Sequence, residues 1–171
     1  MTRDPNSLKL DDYYTAFEDD EMREIARATL ETNLESARGM VLVMASLIDI
    51  RLETLLRSIL DDCQATKKLF DEANAPLSSF NSKINLTRSL RLIREDEFRN
   101  LNIVRKIRND FAHKVNCSFE DRAVRDRAFA IDYGLANLDR DKCDARAWFQ
   151  MGCSALILNL YHRTKDTRKD N

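Results

Sequence analysis

The stretch "KIRNDFAHK", residues 106–114, sets a guanidinium (Arg108), an amide (Asn109) and one of the chain's two histidines (His113) close together. A guanidinium keeps its charge and forks onto carboxylate or phosphate. An imidazole gains and loses its proton near neutral pH. Such a group is either the reactive corner of an enzyme or the ordinary end of a half-buried helix. On an unbroken helix Arg108 and His113 lie about 140° apart, whereas Asn109 and His113, four residues apart, share a face. Arg108 and His113 then act on one substrate only if the helix ends or bends before His113, or if a second subunit completes the site. Otherwise a histidine at a helix end compensates the dipole or caps the last turn.

The helix that must carry these groups has its apolar positions at Phe98, Leu101, Val104 and Phe111, and Arg108 falls inside that stripe. A buried guanidinium cannot lose its proton, so it needs a carboxylate, carbonyls or water. Asp49 interrupts the apolar run "MVLVMASLIDI", and Glu53 follows it one turn later. The expectation is that Arg108 is buried and held by Asp49 or Glu53. The plainer alternative is an arginine whose stem lies on the stripe while its head reaches water.

Three glycines and two prolines among 171 residues leave few devices for hairpins and tight turns. The fold expected is therefore an all-α bundle of about four to six helices. Its body comprises helices near 39–60, 80–93, 95–113 and 142–162, within one domain spanning 1–171. Residues 1–18 read as an arm and 163–171 as a flexible tail. The strongest periodicity runs from Ala37 to Ile59. Ser78 or Ser79 offers an N-cap after "NAPL", three acids in "REDEF" suit a helix start, and Ser118 with Asp121 approximates a capping box. The start is polar and the longest apolar run is too short for a bilayer, so the expected location is the cytoplasm, with no membrane association.

Four cysteines without a C-x-x-C pair, and only two histidines, argue against a metal site, and no cofactor motif is present. With 28 basic and 29 acidic residues interleaved, no basic helix or stripe stands out, and tight autonomous DNA binding is not expected. No helix-turn-helix or zinc-finger spacing is present either.

"RNDFAH" matches the arginine-to-histidine signature of the HEPN superfamily of helical bundles. More specifically, "VLVMASLIDIRLETLLRSIL", then "APLSSFNSKINLTRSLRLIREDEFRNLNIVRKIRNDFAH", then "SFED", resemble the mannitol operon repressor family over residues 37–121. The resemblance implies an HEPN-like bundle and two functional readings. As in that family, the chain would be a repressor-like transcriptional regulator of a sugar-alcohol uptake operon, working through protein partners, a DNA-binding regulator being one option. As in active HEPN proteins, it would be a metal-independent endoribonuclease or toxin. In that case Arg108 would stabilise the phosphorane, His113 would act as general acid or base, and Asn109 would position the phosphate. A third reading is a purely structural dimerisation module. The long apolar helix and the composite-site logic favour a homodimer.

Overall fold

The computed structural model describes residues 19–72, 74–132, 134 and 143–169. Among these residues the chain is all-α, with no strand. The helices are α1 (Asp20–Glu31), a 3-10 turn (Thr32–Leu34), α2 (Ala37–Ile59), α3 (Gln64–Phe70), α4 (Phe80–Ser89), α5 (Glu95–His113), α6 (Arg122–Phe129) and α7 (Ala145–Lys169). The chain divides into two compact units, residues 1–35 and 36–171. In the first, the Asp19 carboxylate caps α1 by accepting from the Glu21 N–H at 2.9 Å. The arm expected at 1–18 lies outside the described residues.

In the second unit, Ser36 starts α2 by accepting from the Gly39 N–H at 3.0 Å. Eight side chains of α2 are buried, from Met40 and Val41 through Ile48 to Leu55 and Leu56. Helix α7 packs along α2, α5 packs on α2, α4 contacts both α2 and α5, and α6 contacts α5 and α7. The directions follow from contacts at the two ends. Ser58 hydrogen-bonds Thr167 at 3.0 Å, whereas Arg38 meets the carbonyl of Phe111. The Phe111 ring packs on Phe119 and Phe119 on Phe149, with centroids 5.1 and 5.6 Å apart. So α7 runs parallel to α2, and α5 runs antiparallel to both.

The polar groups that enter this core are paired. Lys83 on α4, its side chain only 5% exposed, reaches Asp49 at 3.1 Å and Glu53 at 2.8 Å on α2. Glu53 also accepts from Arg57 at 2.9 Å, and Arg57 extends to Asp71 and over the Phe70 ring. Glu97 on α5, 3% exposed, accepts from the Arg94 N–H at 2.7 Å and from Arg163 at 2.8 and 3.0 Å.

Three expectations change. Helix α4 stops at Ser89 rather than near 93, because Leu90 leaves helical geometry and Arg91 takes a positive φ of 59°. The segment expected as a flexible tail is helical through Lys169, because Arg163 is held by Glu97 and the Thr167 hydroxyl bonds back to Arg163 and Thr164. Helix α6 opens at Arg122, not Ser118: the Asp121 carboxylate accepts from the Ser118 N–H at 3.0 Å and folds that segment into a turn ahead of the helix.

Lys83→Ala should destabilise the fold by about 3 kcal/mol, since it leaves Asp49 without its cation beside Glu53, which keeps only Arg57. Acid should weaken the same network. Burial works to raise the Glu53 carboxyl, but hydrogen bonds and charge from Lys83 and Arg57 outweigh it and hold the group below its usual value. The stability this contributes is complete above the unfolded value of about 4.3 and is lost as pH falls through the lower, folded value. Thermal melts should show a wild-type melting temperature that drops steeply below about pH 4 and less steeply in Glu53→Gln. A Lys83→Ala variant as stable as wild type would show that the network is not structural.

Candidate functional site on the outer face of α5

Helix α5 presents Glu97, Asn100, Leu101, Val104, Ile107 and Phe111 to the core. Leu101, Val104 and Phe111 of the stripe read off the sequence are buried, but Ile107 joins them and Arg108 is exposed. Arg108 therefore does not pair with Asp49 or Glu53, whose cation is Lys83. At the edge of the stripe its flexible stem carries the guanidinium out to water, which removes any need for a buried counter-charge. There Arg108 donates to the neighbouring Asn109 side chain at 3.1 Å.

His113 occupies the last position of α5 and is exposed. The helix runs unbroken from Arg108 to His113, so the two side chains diverge by about 140° around the axis. The structure brings Arg108 and Asn109 together and leaves His113 apart from Arg108. The end of the helix is shaped by Arg38 instead. Its guanidinium donates to the carbonyl of Phe111 and to those of Lys114 and Val115 at 2.7 and 2.8 Å. Three carbonyls left over at a helix end thus find one cation. Nothing in the sequence near 106–114 signalled it, because the donor lies at the start of another helix. Nearby, Asp110 binds Lys114 at 2.8 Å and also Arg127 of α6. The hydrogen bond from Lys114 is the main cause holding the Asp110 carboxyl below its usual range.

On the outer side of α5 Arg99, Lys106 and His113 recur every seven residues and are exposed, with the half-exposed Asn102 and Asn109 beside them; Arg105 lies about 100° round from Lys106 and Arg108 about 180° from Arg99. Every carboxylate of α5 is already committed: Glu95 to Arg88, Asp96 to Arg94, Glu97 to Arg163, and Asp110 to Lys114 and Arg127. Among the described residues Arg99, Arg105, Lys106 and Arg108 take part in no ion pair.

Elsewhere a polar cleft lies between α5 and α7, lined by Arg94, Asp96, Asn100, Asp132 and Asn159. Its volume of about 130 Å³ is below the roughly 300 Å³ at which small-molecule sites begin. Asn100 also closes it by exchanging hydrogen bonds with the Asp132 backbone. Among the described residues no cluster of three histidine, cysteine or acidic side chains is placed to hold a metal, and no helix is long and apolar enough to cross a membrane.

Neither a family model nor a curated protein matches the chain. Its fold is similar to a chain in the X-ray structure of the MtlR–HPr complex from Escherichia coli, with a TM-score of 0.59 over 84% of this chain and 98% of that one, at 14% identity.

Because Arg108 is solvated, Arg108→Ala should change stability by no more than about 0.5 kcal/mol. Chemical denaturation checks this; a loss of several kcal/mol would return Arg108 to the core.

Proposed function

We propose that this chain is a repressor-like regulator of a sugar-alcohol uptake operon, mannitol being the sugar alcohol, and that it acts in the cytoplasm through a protein partner rather than by reading DNA itself. The observation that carries this reading is the fold likeness to a chain of the MtlR–HPr complex, which extends over 98% of that chain. The resemblance of residues 37–121 to the mannitol operon repressor family points the same way. The net charge of −1 also suits a protein partner better than a duplex. HPr is the first partner to test, and a DNA-binding regulator the second.

Calorimetry with purified Escherichia coli HPr should show saturable binding at about micromolar affinity. Duplex DNA from the operon promoter should bind only at the non-specific level, about 10⁻⁴ to 10⁻⁶ M at physiological salt. Nanomolar affinity for that promoter, competed only by its own sequence, would replace this reading with direct repression. Silence with both HPr and the operon's DNA-binding regulators would remove the partner-based reading.

A second reading, an HEPN-type metal-independent endoribonuclease, is favoured by the exposure of Arg108, Asn109 and His113. Their divergence within one chain means that such a site needs a second copy to complete it. The homodimer we propose would pack through the outer side of α2, where Val43 and Ile50 are 38% and 52% exposed. Light scattering tests both ideas together. A stable monomer of 19.9 kDa at micromolar concentration removes the dimer and the composite site. A dimer that cuts RNA, and stops doing so in Arg108→Ala and His113→Ala, would establish the ribonuclease.

A further inference from the structure

From one charge left unmatched in the polar cleft between α5 and α7 we infer that the cleft is a socket for an arginine side chain of a partner protein. The other charges that line it answer one another. Arg94 grips Asp96 through contacts of 2.9 and 3.1 Å, and Glu97 is held by Arg163 at 2.8 Å. Asp132 is the exception. Its Oδ1 accepts from the Gly134 N–H at 3.1 Å, in a turn that Gly134 completes at a φ of 77°. Among the described residues no lysine or arginine pairs with this carboxylate, and Asn159, which also lines the cleft, makes no side-chain hydrogen bond.

The lining has the two parts that a long basic side chain needs. Ala155 and Leu156 of α7 supply an apolar patch for a methylene stem, and Asp132 with Asn159 supplies oxygen acceptors for a charged head. A guanidinium suits them best, because its fork reaches two acceptors at once and it gives up water more readily than an ammonium. Asn100 fixes the site in advance. It exchanges two hydrogen bonds with the Asp132 backbone, so the turn that carries the carboxylate is held before the ligand arrives.

Other occupants fit less well. A divalent cation takes about six oxygen ligands, and among the described residues Asp132 is the one carboxylate of the cleft without a counter-charge. An anion would meet that unmatched negative charge. The volume of about 130 Å³ is small for a free metabolite but admits one side-chain head. An ion pair open to water holds little by itself, so the arginine must arrive on a larger surface that makes further contacts. The inference therefore rests on the partner-based reading of function, but it does not depend on HPr being the partner.

Two-dimensional NMR on the isotope-labelled full chain tests it, with acetyl-Gly-Arg-Gly-amide as the probe. Peptides with lysine, citrulline or glutamate in place of the arginine serve as the other arms. The arginine peptide should bind at about millimolar affinity and shift the signals of Gly134 and of the Asn159 side-chain amide. The lysine peptide should bind more weakly, and the other two not at all. Asp132→Asn keeps an acceptor for the Gly134 N–H but removes the charge, and should weaken binding about fivefold. Asp166→Asn, which removes a charge from α7 outside the cleft, should leave binding unchanged, and circular dichroism should show each variant folded. The double variant Arg140→Ala, Lys142→Ala should also leave it unchanged; a gain in affinity there would give the cleft to the chain's own cations. Absent arginine binding, equal binding of the citrulline peptide, tighter binding of the glutamate peptide, or binding indifferent to Asp132→Asn would each overturn the socket. Measuring HPr on the same samples keeps the two readings apart: a socket that fails while HPr binds leaves the regulator standing, whereas arginine binding without HPr binding leaves the socket standing.

Discussion

A helix that buries eight side chains along 23 residues has to be covered over its whole length, and the arrangement of the second unit follows from how α2 meets that demand. One neighbour is not enough, because its buried positions wrap through nearly half a turn, from Met40 round to Leu56. Helices α7 and α5 take the two sides of that arc, and α4 closes the gap. Polar links then fix each neighbour lengthwise. Arg38 pins the end of α5, Lys83 pins the middle of α4, and the Ser58–Thr167 pair pins the far end of α7. Apolar packing alone tolerates sliding, whereas a cation reaching named carbonyls or carboxylates selects one register.

This division of labour explains why some of the structure could be read from sequence. The apolar repeat of α2 is long enough that no other element fits it, and Ser79 does cap α4 by accepting from Ser82. The acids at the start of α5 also sit where the dipole favours them. Each of these depends on residues within a few positions of one another. The errors lie where the answer depended on a distant partner. Asp49 and Glu53 do hold a cation, but a helical wheel points to Arg108 and cannot say that another helix supplies it. Lys83, in the unremarkable stretch "FNSKINL", supplies it.

Arg108 shows the same limit from the other direction. Leu101 and Val104 bracket its angular position, so a wheel places it inside the stripe. Leu101 and Val104 are fully buried, whereas Arg108, one turn further along, is exposed. The width of a covered stripe changes along a helix as its neighbours diverge, and sequence periodicity assumes that it does not. Asp110 stands one turn from Lys106, yet its carboxylate goes to Lys114 and to Arg127 of α6, and Lys106 is left to solvent.

The pairing of α2 with α7 also bears on how the chain is made. These two helices form the most extensive contact in the unit, yet the hydroxyl contact that ties them joins residues 109 positions apart. During synthesis α2 leaves the ribosome long before its cover exists, with a face of methionine, leucine and isoleucine side chains open to water. Helices α4 and α5, which contact α2 and precede α7 in the chain, are the main cover available to it in that interval among the described elements. The long interval between α2 and α7 in the chain therefore makes this contact one of high sequence separation, which slows folding.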